Sequence, residues 1–177
     1  MTAGPFLRGL AAALALTLAG PGAIAAAPPL LLAKVLGPEV DPADYLVSEK
    51  FDGVRAHWDG RVLRFRSGRE VPAPRWFLER LPAQPLDGEL WLGRGRFEEL
   101  SGYVRRSTPE DAEWRRIRYL VFELPEAPGT FAERARRLQE LAAAAAWPQL
   151  EAVAQFRVAD RAELQRRLDQ VLKGGGE

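Results

Sequence analysis

The sequence contains no cysteine, one methionine and one histidine among its 177 residues. Without cysteine there are no disulfides, thiolate metal sites, thiol nucleophiles or lipid-anchored cysteines. Lysine is also scarce, since the 25 basic residues comprise 22 arginines and 3 lysines. The formal net charge of +1 gives no global basic field that would by itself indicate nucleic acid. The length and the 47% hydrophobic content are typical of one globular domain with a substantial core.

The first 25 residues have the composition of an export signal. Arg8 precedes an apolar run from Leu10 to Ala19, helix breakers and small residues follow, and Ala23-Ile24-Ala25 fits the A-x-A cleavage rule. The alternative is a short membrane anchor, but the apolar run is too short to span a bilayer comfortably. We therefore predict a signal peptide over residues 1–25 and a mature periplasmic chain over residues 26–177.

The remaining chain mixes strand and helix patterns, which predicts an α+β fold with a largely antiparallel sheet and flanking helices. Strands are predicted in VSEKFDGVRAHWDGRVLRFRSG, PLDGELWLG, RYLVFELP and LEAVAQFRVA. Helices are predicted in PAPRWFLERLP, GRFEELSGYVRR, STPEDAEWRRI, TFAERARRLQELAAAAAW and DRAELQRRLDQVLKGGG. The third helix is predicted to begin at Thr108, with Pro109 at its first helical position. Thr130 and Glu133 predict a capping box at the start of the fourth.

The pair Asp59-Gly60 between alternating segments predicts a hairpin with a two-residue type I′ turn. That register places Arg55 opposite Arg64, and it places both on the same face as Arg66. Like charges directly opposite each other destabilise a sheet. Two interpretations follow: a solvated face where each arginine finds a carboxylate, or a face whose missing counter-charge is a phosphate, which the planar guanidinium suits.

Lys50 stands at the start of this hairpin and is the only lysine between Lys34 and Lys173. Unlike an arginine, a lysine can lose its proton near neutrality when other cations or burial lower its pKa. Lys50 is therefore a candidate amine nucleophile among arginines. The alternative is an ordinary surface charge.

The segment Lys50 to Arg55 matches K-x-D-G-x-R, and FRSG (65–68), LDGELW (86–91), LVFELP (120–125) and GGGE (174–177) follow in order. These motifs resemble the covalent nucleotidyltransferases, which include DNA ligases, RNA ligases and capping enzymes. The longer phrases VSEKFDGVRAHWDG, PLDGELWLGRGRFEELSGYVRR and FRVADRAELQRRL resemble the small exported ATP-dependent DNA ligases of Gram-negative bacteria. Phe65 and Glu123 depart from the usual Ser and Asp of their motifs. The resemblance implies an ATP-grasp-like adenylation domain.

The resemblance also implies roles for the matching residues. Lys50 would form lysyl-AMP from ATP, and Asp52 would assist the later steps at the nick. Nucleotide binding is implied for Arg55, Arg66, Glu89 and Phe122. Glu177 and Glu89 would bind Mg²⁺ or Mn²⁺. Arginines that are candidate contacts to DNA phosphates are Arg64, Arg94, Arg96, Arg105 and Arg106.

By the family pattern, a two-lysine motif and an OB-fold domain should follow Glu177, and neither is in the sequence. The expectation is therefore a C-terminally incomplete adenylation domain that forms lysyl-AMP weakly or not at all. Its expected partners are ATP and nicked duplex DNA, with a monomeric chain that leaves the membrane after signal cleavage. Two alternatives stay open: an RNA ligase or capping-type enzyme, and a non-catalytic remnant that binds nicks or phosphate.

Overall fold

The computed structural model describes residue 30 and residues 34–177, so the predicted signal peptide lies outside the described residues. Its centre is a five-stranded sheet with the order β2-β1-β3-β4-β5. The strands are β1 (Val54–Trp58), β2 (Leu63–Phe65), β3 (Leu86–Trp91), β4 (Arg118–Glu123) and β5 (Leu150–Ala152). All neighbours pair antiparallel except β4 and β5, which run parallel. The predicted α+β fold with a largely antiparallel sheet is confirmed.

Five α-helices of the described chain flank the sheet: α1 (Arg75–Leu78), α2 (Phe97–Arg105), α3 (Asp111–Trp114), α4 (Phe131–Ala145) and α5 (Arg161–Lys173). A short 3₁₀ turn at Pro42–Asp44 precedes β1. Each helix falls within a predicted segment, but α3 does not begin at Thr108. Glu110 is its N-cap in an extended conformation, and the Glu110 carbonyl accepts from Glu113 and Trp114. The side chain of Trp114 is fully buried, and this packing sets the start of the helix. Within the described residues, no helix has the length and apolar character needed to cross a bilayer.

The hydrophobic core lies against one face of the sheet. In β1 and β2 every second residue is buried, so alternate side chains point into this core. At its centre, the ring of Phe77 packs edge-on against Trp114 at 4.9 Å and against Trp147 at 5.0 Å between centroids. This arrangement leaves the other face of β1 and β3 for polar side chains.

The capping box at the start of α4 is confirmed. The Thr130 side chain accepts from the Glu133 amide at 3.3 Å, and the Glu133 carboxylate accepts from the Thr130 amide at 2.7 Å. These two bonds satisfy backbone donors that the first turn of a helix leaves free. The helix ends at Ala145, and the following residue, Ala146, has a left-handed φ of 47°.

The predicted register of the β1–β2 hairpin is wrong. The observed pairs are Ala56 with Phe65 and His57 with Arg64, so the turn contains four residues rather than two. The cause is Asp59, whose carboxylate accepts from the amides of residues 61 and 62 at 2.9 and 2.8 Å and holds them in the loop. The slip is two residues, so each side chain keeps its predicted face. Arg55 is opposite Glu89 of β3, and the predicted Arg55–Arg64 pair does not form.

The predicted strand at LEAVAQFRVA is shorter than expected, because only Leu150–Ala152 pairs with β4. Beyond it, Phe156 forms an isolated antiparallel bridge with Val47, in the segment that leads into β1. A guanidinium nitrogen of Arg161, at the start of α5, donates to three backbone carbonyls of the same leading segment, those of residues 37, 38 and 40. The beginning and the end of the described chain are therefore joined beside the sheet.

Tyr119 ties the three central strands together from the core side. Its buried hydroxyl donates to the carbonyls of Ala56 at 2.8 Å and Leu86 at 3.2 Å. A Cβ on Gly88 would lie 2.5 Å from the Leu120 carbonyl and 2.9 Å from the Tyr119 ring. The glycine of LDGELW is thus required for close packing of β3 on β4, and this packing fixes the residues on either side of it.

Candidate active site

An ion pair between Arg55 and Asp87 occupies the polar face of the central strands. The Arg55 guanidinium donates to both carboxylate oxygens of Asp87, at 3.1 and 2.7 Å. Asp87 is 3% exposed and is the one buried charged residue in the described part of the chain. Its hydrogen bond raises the pKa of Arg55. The counter-charge of Arg55 is therefore a carboxylate, and the interpretation that a phosphate must supply it is wrong.

The structure brings three of the four predicted nucleotide-binding residues together. Glu89 is the cross-strand partner of Arg55, and the Arg55 guanidinium lies 5.5 Å from the centroid of the half-buried Phe122 ring. Arg66 is exposed in the turn after β2, and it follows Phe65, the partner of Ala56. The turn lies at the edge of the sheet toward the end where β1 begins. A basic, an acidic and an aromatic side chain therefore lie together on one face of the sheet.

Burial of Glu89 raises the pKa of its carboxyl group from 4.5 to about 7. The charge of Arg55 and a hydrogen bond from the backbone of Gly53 both lower it. The carboxylates of Asp87 and Asp52 raise it further. The approach of Gly53 is close, because a Cβ there would lie 2.3 Å from a β3 carbonyl oxygen. The glycine of K-x-D-G therefore allows the loop that carries Lys50 to approach β3.

The raised pKa of Glu89 predicts a pH-dependent stability. Below pH 4.5 the group is protonated in both the folded and the unfolded chain, so it has no effect. Between pH 4.5 and about 7 only the unfolded chain loses the proton, so stability falls as pH rises. Glu89→Gln should remove this loss and raise the free energy of unfolding at pH 8 by about 3 kcal/mol. Urea unfolding at several pH values measures the difference.

The matched control for this prediction is Glu98→Gln, which removes a carboxylate at an exposed position of α2. The Glu89→Gln advantage should be absent at pH 4 and complete at pH 8. An advantage that is the same at both pH values would contradict the assignment, since it would arise from packing rather than from titration.

Lys50 lies in the loop before β1, and its environment differs from the predicted one. Its side chain is 72% exposed and forms an ion pair with Glu177. The expected burial is absent, and a carboxylate opposes the amine. The charge of Arg94 is engaged by Glu49, the residue before Lys50. Asp52 is exposed two residues on. The predicted nucleophile and the predicted metal ligand Glu177 are therefore brought together.

A cavity of about 370 Å³ opens beside this loop, between the segment leading into β1, the residues after β5, and α5. Its walls are mostly apolar, and polar groups of Glu49, Arg94 and Glu177 reach its lining. A half-buried aromatic pair lies at its wall, where the ring of the lining residue Phe51 packs edge-on against Trp91 at 5.4 Å between centroids.

Most of the predicted DNA-contact arginines already have protein partners. Arg64 lies 3.7 Å from the Asp59 carboxylate and donates to a backbone carbonyl. Arg94 pairs with Glu49, Arg96 with Glu99, and Arg106 with Glu110 and Glu113. Arg105 is exposed in the last turn of α2 and has no salt bridge within the described residues. The DNA-contact assignments stay predictions, and Arg105 is the most available of them.

The two departures from the motifs have structural explanations. Phe65, in place of the usual Ser, is 8% exposed and belongs to the hydrophobic core. Glu123, in place of the usual Asp, reaches α4, where Arg134 donates to both of its carboxylate oxygens at 2.7 Å. The longer side chain therefore joins the end of β4 to a helix.

A metal ion was predicted at Glu177 and Glu89. Residues 34–177 contain no group of three His, Asp or Glu side chains close enough to hold a metal ion by themselves. Asp87 is occupied by Arg55, and Glu177 by Lys50. Mg²⁺ commonly takes one or two carboxylates and completes its shell with phosphates and water. The metal site at Glu177 and Glu89 therefore stays a prediction.

Sequence reasoning missed the structural roles of Asp87, Glu49 and Arg94. Asp87 gave a signal, because an acidic residue inside a strand that packs on a core needs a partner. Glu49 and Arg94 gave none, since their contact joins residues 45 positions apart.

Comparison with known proteins places this site in context. No family model matches the chain. A DNA ligase of Haemophilus influenzae is 34% identical over 133 residues, which are 75% of this chain and 49% of that protein. A solved structure from a structure-function analysis of Lig E DNA ligases is 38% identical, with a TM-score of 0.77 over 84% of this chain and 59% of that one. The Chlorella virus DNA ligase-adenylate, 17% identical, shares the fold with a TM-score of 0.65 over 82% of this chain and 56% of that one. The chain spans about half the length of the curated relative it matches.

Proposed function

Because this chain belongs to the ATP-dependent DNA ligase family, we propose that it takes AMP from ATP onto Lys50 and serves the sealing of nicked duplex DNA. The observation that carries the proposal is the meeting of Arg55, Glu89 and Phe122 on one face of the sheet, next to the Lys50 loop. An aromatic ring, a carboxyl group and a fixed guanidinium can contact the base, the sugar and a phosphate of one nucleotide.

The first chemical step forms a phosphorus–nitrogen bond. After losing its proton, the Nζ of Lys50 attacks the α-phosphorus of ATP, the bond to the bridging oxygen breaks, and pyrophosphate leaves. The AMP then passes to the 5′-phosphate of the nick and frees Lys50. The 3′-hydroxyl attacks that 5′-phosphorus, the strand is sealed, and AMP is released.

The residues on the sheet face bind and orient the nucleotide. Stacking of a base on an aromatic ring contributes about 1–3 kcal/mol, and Phe122 is the ring in place. Glu89 would accept hydrogen bonds from the ribose hydroxyls. Arg55 uses two of its nitrogens on Asp87, which fixes the plane of the guanidinium and leaves a third nitrogen for a phosphate oxygen.

We propose Mg²⁺ or Mn²⁺ as the cofactor, with Glu177 and Glu89 as its carboxylate ligands. When bound, the cation would neutralise phosphate charge. For Glu177 this requires that it exchange its ion pair with Lys50 for the metal, which would release the amine.

The DNA partner and the location of the protein are parts of the same proposal. Arg105 is exposed and would contact a phosphate of a nicked duplex. The exposed Arg66 would hold the nucleotide, and Asp52 would assist the later steps at the nick. The composition of residues 1–25 supports export to the periplasm, where a monomer free of the membrane would act.

Incubation with α-labelled ATP and Mg²⁺, followed by a denaturing gel, tests the first step. The expected result is a labelled protein band that disappears when pyrophosphate is added, since the step is reversible. The amount of label per chain measures the expected weak adenylation, and complete labelling would contradict that expectation. Absence of label at all ATP and metal concentrations would overturn the proposed function. Parallel assays with nicked DNA and nicked RNA duplexes test the substrate.

A further inference from the structure

Arg94 lies in the loop between β3 and α2, between two glycines with left-handed backbones. Gly93 has a φ of 137° and Gly95 a φ of 66°. Residues with side chains rarely adopt these conformations, so the sequence Gly-Arg-Gly specifies the path of this loop. From this loop the Arg94 side chain reaches Glu49, in the loop that carries Lys50.

The Arg94 guanidinium joins three separate segments. Its Nη2 donates to both oxygens of Glu49, at 2.7 and 2.8 Å, and its Nε donates to one of them at 3.1 Å. Its Nη1 donates to the carbonyl of Gly174, just after α5, at 2.7 Å. Glu49 directly precedes Lys50 in the sequence. All three guanidinium nitrogens are therefore used within the protein.

The glycines after α5 are fitted to this ion pair. A Cβ on Gly174 would lie 2.5 Å from Nη1 of Arg94, and a Cβ on Gly176 would lie 2.7 Å from a Glu49 carboxylate oxygen. A Cβ on Gly175 would meet no atom within 4 Å. The backbone of the chain after α5 therefore packs directly on the Arg94–Glu49 pair at Gly174 and Gly176.

We propose that Arg94 is a positioning residue for Lys50, acting through Glu49 and the backbone at Gly174 and Gly176. We call these four residues the latch. The latch holds the backbone on both sides of the Lys50–Glu177 pair, so it sets where the amine and the carboxylate project. The inference rests on the proposed function and adds to it a role for a residue that does not contact the reacting atoms. It also replaces the prediction that Arg94 contacts DNA.

The contribution of the Arg94–Glu49 ion pair to folding stability distinguishes a positioning role from a general structural one. The side chains of Arg94 and Glu49 are 38% and 20% exposed. Ion pairs with this exposure add little to folding stability. Loss of the latch should therefore leave the melting temperature nearly unchanged while it alters the geometry at Lys50.

The kinetic test measures lysyl-AMP formation at several ATP concentrations. Arg94→Ala should lower the maximal rate constant by about 10- to 100-fold, because displacements of about 1 Å at a reacting group have effects of this size. The ATP concentration for half-maximal rate should change much less. Arg94→Lys should not restore the rate, since an ammonium group cannot make the forked contact. Arg94→Ala combined with Glu49→Ala should be no slower than either single variant.

A second test does not depend on activity. The chain has three lysines, so partial acetylation followed by mass spectrometry reports each one. Arg94→Ala and Gly176→Ala should both increase the acetylation rate of Lys50 relative to Lys34, because Glu177 no longer protects it. Arg136→Ala, which breaks the exposed pair with Glu140 on α4, is the matched control and should not.

Different results would reject the proposed function and the latch. If the unsubstituted chain forms no lysyl-AMP, the proposed function fails, and the acetylation rates still decide whether the latch holds Lys50. If lysyl-AMP forms but Arg94→Ala changes neither the rate constant nor the Lys50 acetylation rate, the latch is overturned. A salt-dependent loss of DNA binding with an unchanged rate constant would instead restore the DNA-contact assignment.

Discussion

Lys50→Arg should eliminate the covalent label from ATP. Arginine keeps the positive charge, so the ion pair with Glu177 and the fold should persist. Its guanidinium is never deprotonated in a protein, so it cannot act as the nucleophile that the amine would be. The expected band intensity in the labelling assay is that of the background. Circular dichroism and the melting temperature should match those of the unsubstituted chain.

Lys173→Arg is the control for this result, because it makes the same change at the end of α5. It should keep the full label. A labelled Lys50→Arg protein would mean that AMP is attached elsewhere, and peptide mapping of the label would then identify the residue. That outcome would reject Lys50 as the nucleophile without rejecting adenylation.

Arg55→Ala should destabilise the fold by about 3–5 kcal/mol, because it leaves a buried charge without a partner. Asp87 is 3% exposed and loses both hydrogen bonds to the guanidinium. Phe122 loses the cation above its ring as well. The free energy of unfolding in urea, followed by circular dichroism, measures the effect at pH 7.

Two further variants make this prediction specific. Arg75→Ala breaks an exposed pair with Glu79 and should cost less than about 1 kcal/mol. Arg55→Met combined with Asp87→Leu removes both charges and should recover much of the lost stability. If Arg55→Ala costs no more than Arg75→Ala, Asp87 is solvated in solution and the pair does not organise the site.

The element content of this fold could be predicted because it follows from local patterns. The helix α4 needs only its capping box and its apolar spacing, and both are contained in residues 130–145. The pairing of two strands can also depend on the hydrogen bonds of a single side chain in the turn between them. The β1–β2 register was missed because the Asp59 carboxylate holds two loop amides, which turned the two-residue turn into a four-residue one.

The candidate site also has a part that could be predicted from the sequence and a part that could not. The motifs predicted Arg55, Glu89 and Phe122 in one region, and the structure brings these three together. Lys50, in the loop before β1, pairs with Glu177 instead. The partner of Arg55 could not be predicted, since Asp87 is 32 positions away and enters from another strand. The protein contacts of Arg94 could not be predicted, because a Gly-rich basic loop is also typical of phosphate contacts and its partners lie 45 and 80 positions away.

The contacts that join the beginning and end of the described chain bear on the order of folding. Arg161 binds carbonyls up to 124 positions away, and Lys50 and Glu177 are separated by 127. The entropy cost of closing a loop grows with its length, so contacts this distant form after the local hairpins and helices. The sheet and α1 to α4 can therefore assemble before the nucleophile loop is fixed. Pulsed hydrogen exchange during refolding should find the amides of residues 47–50 among the last to become protected. The sheet and its helices would then form before Lys50 reaches its functional position.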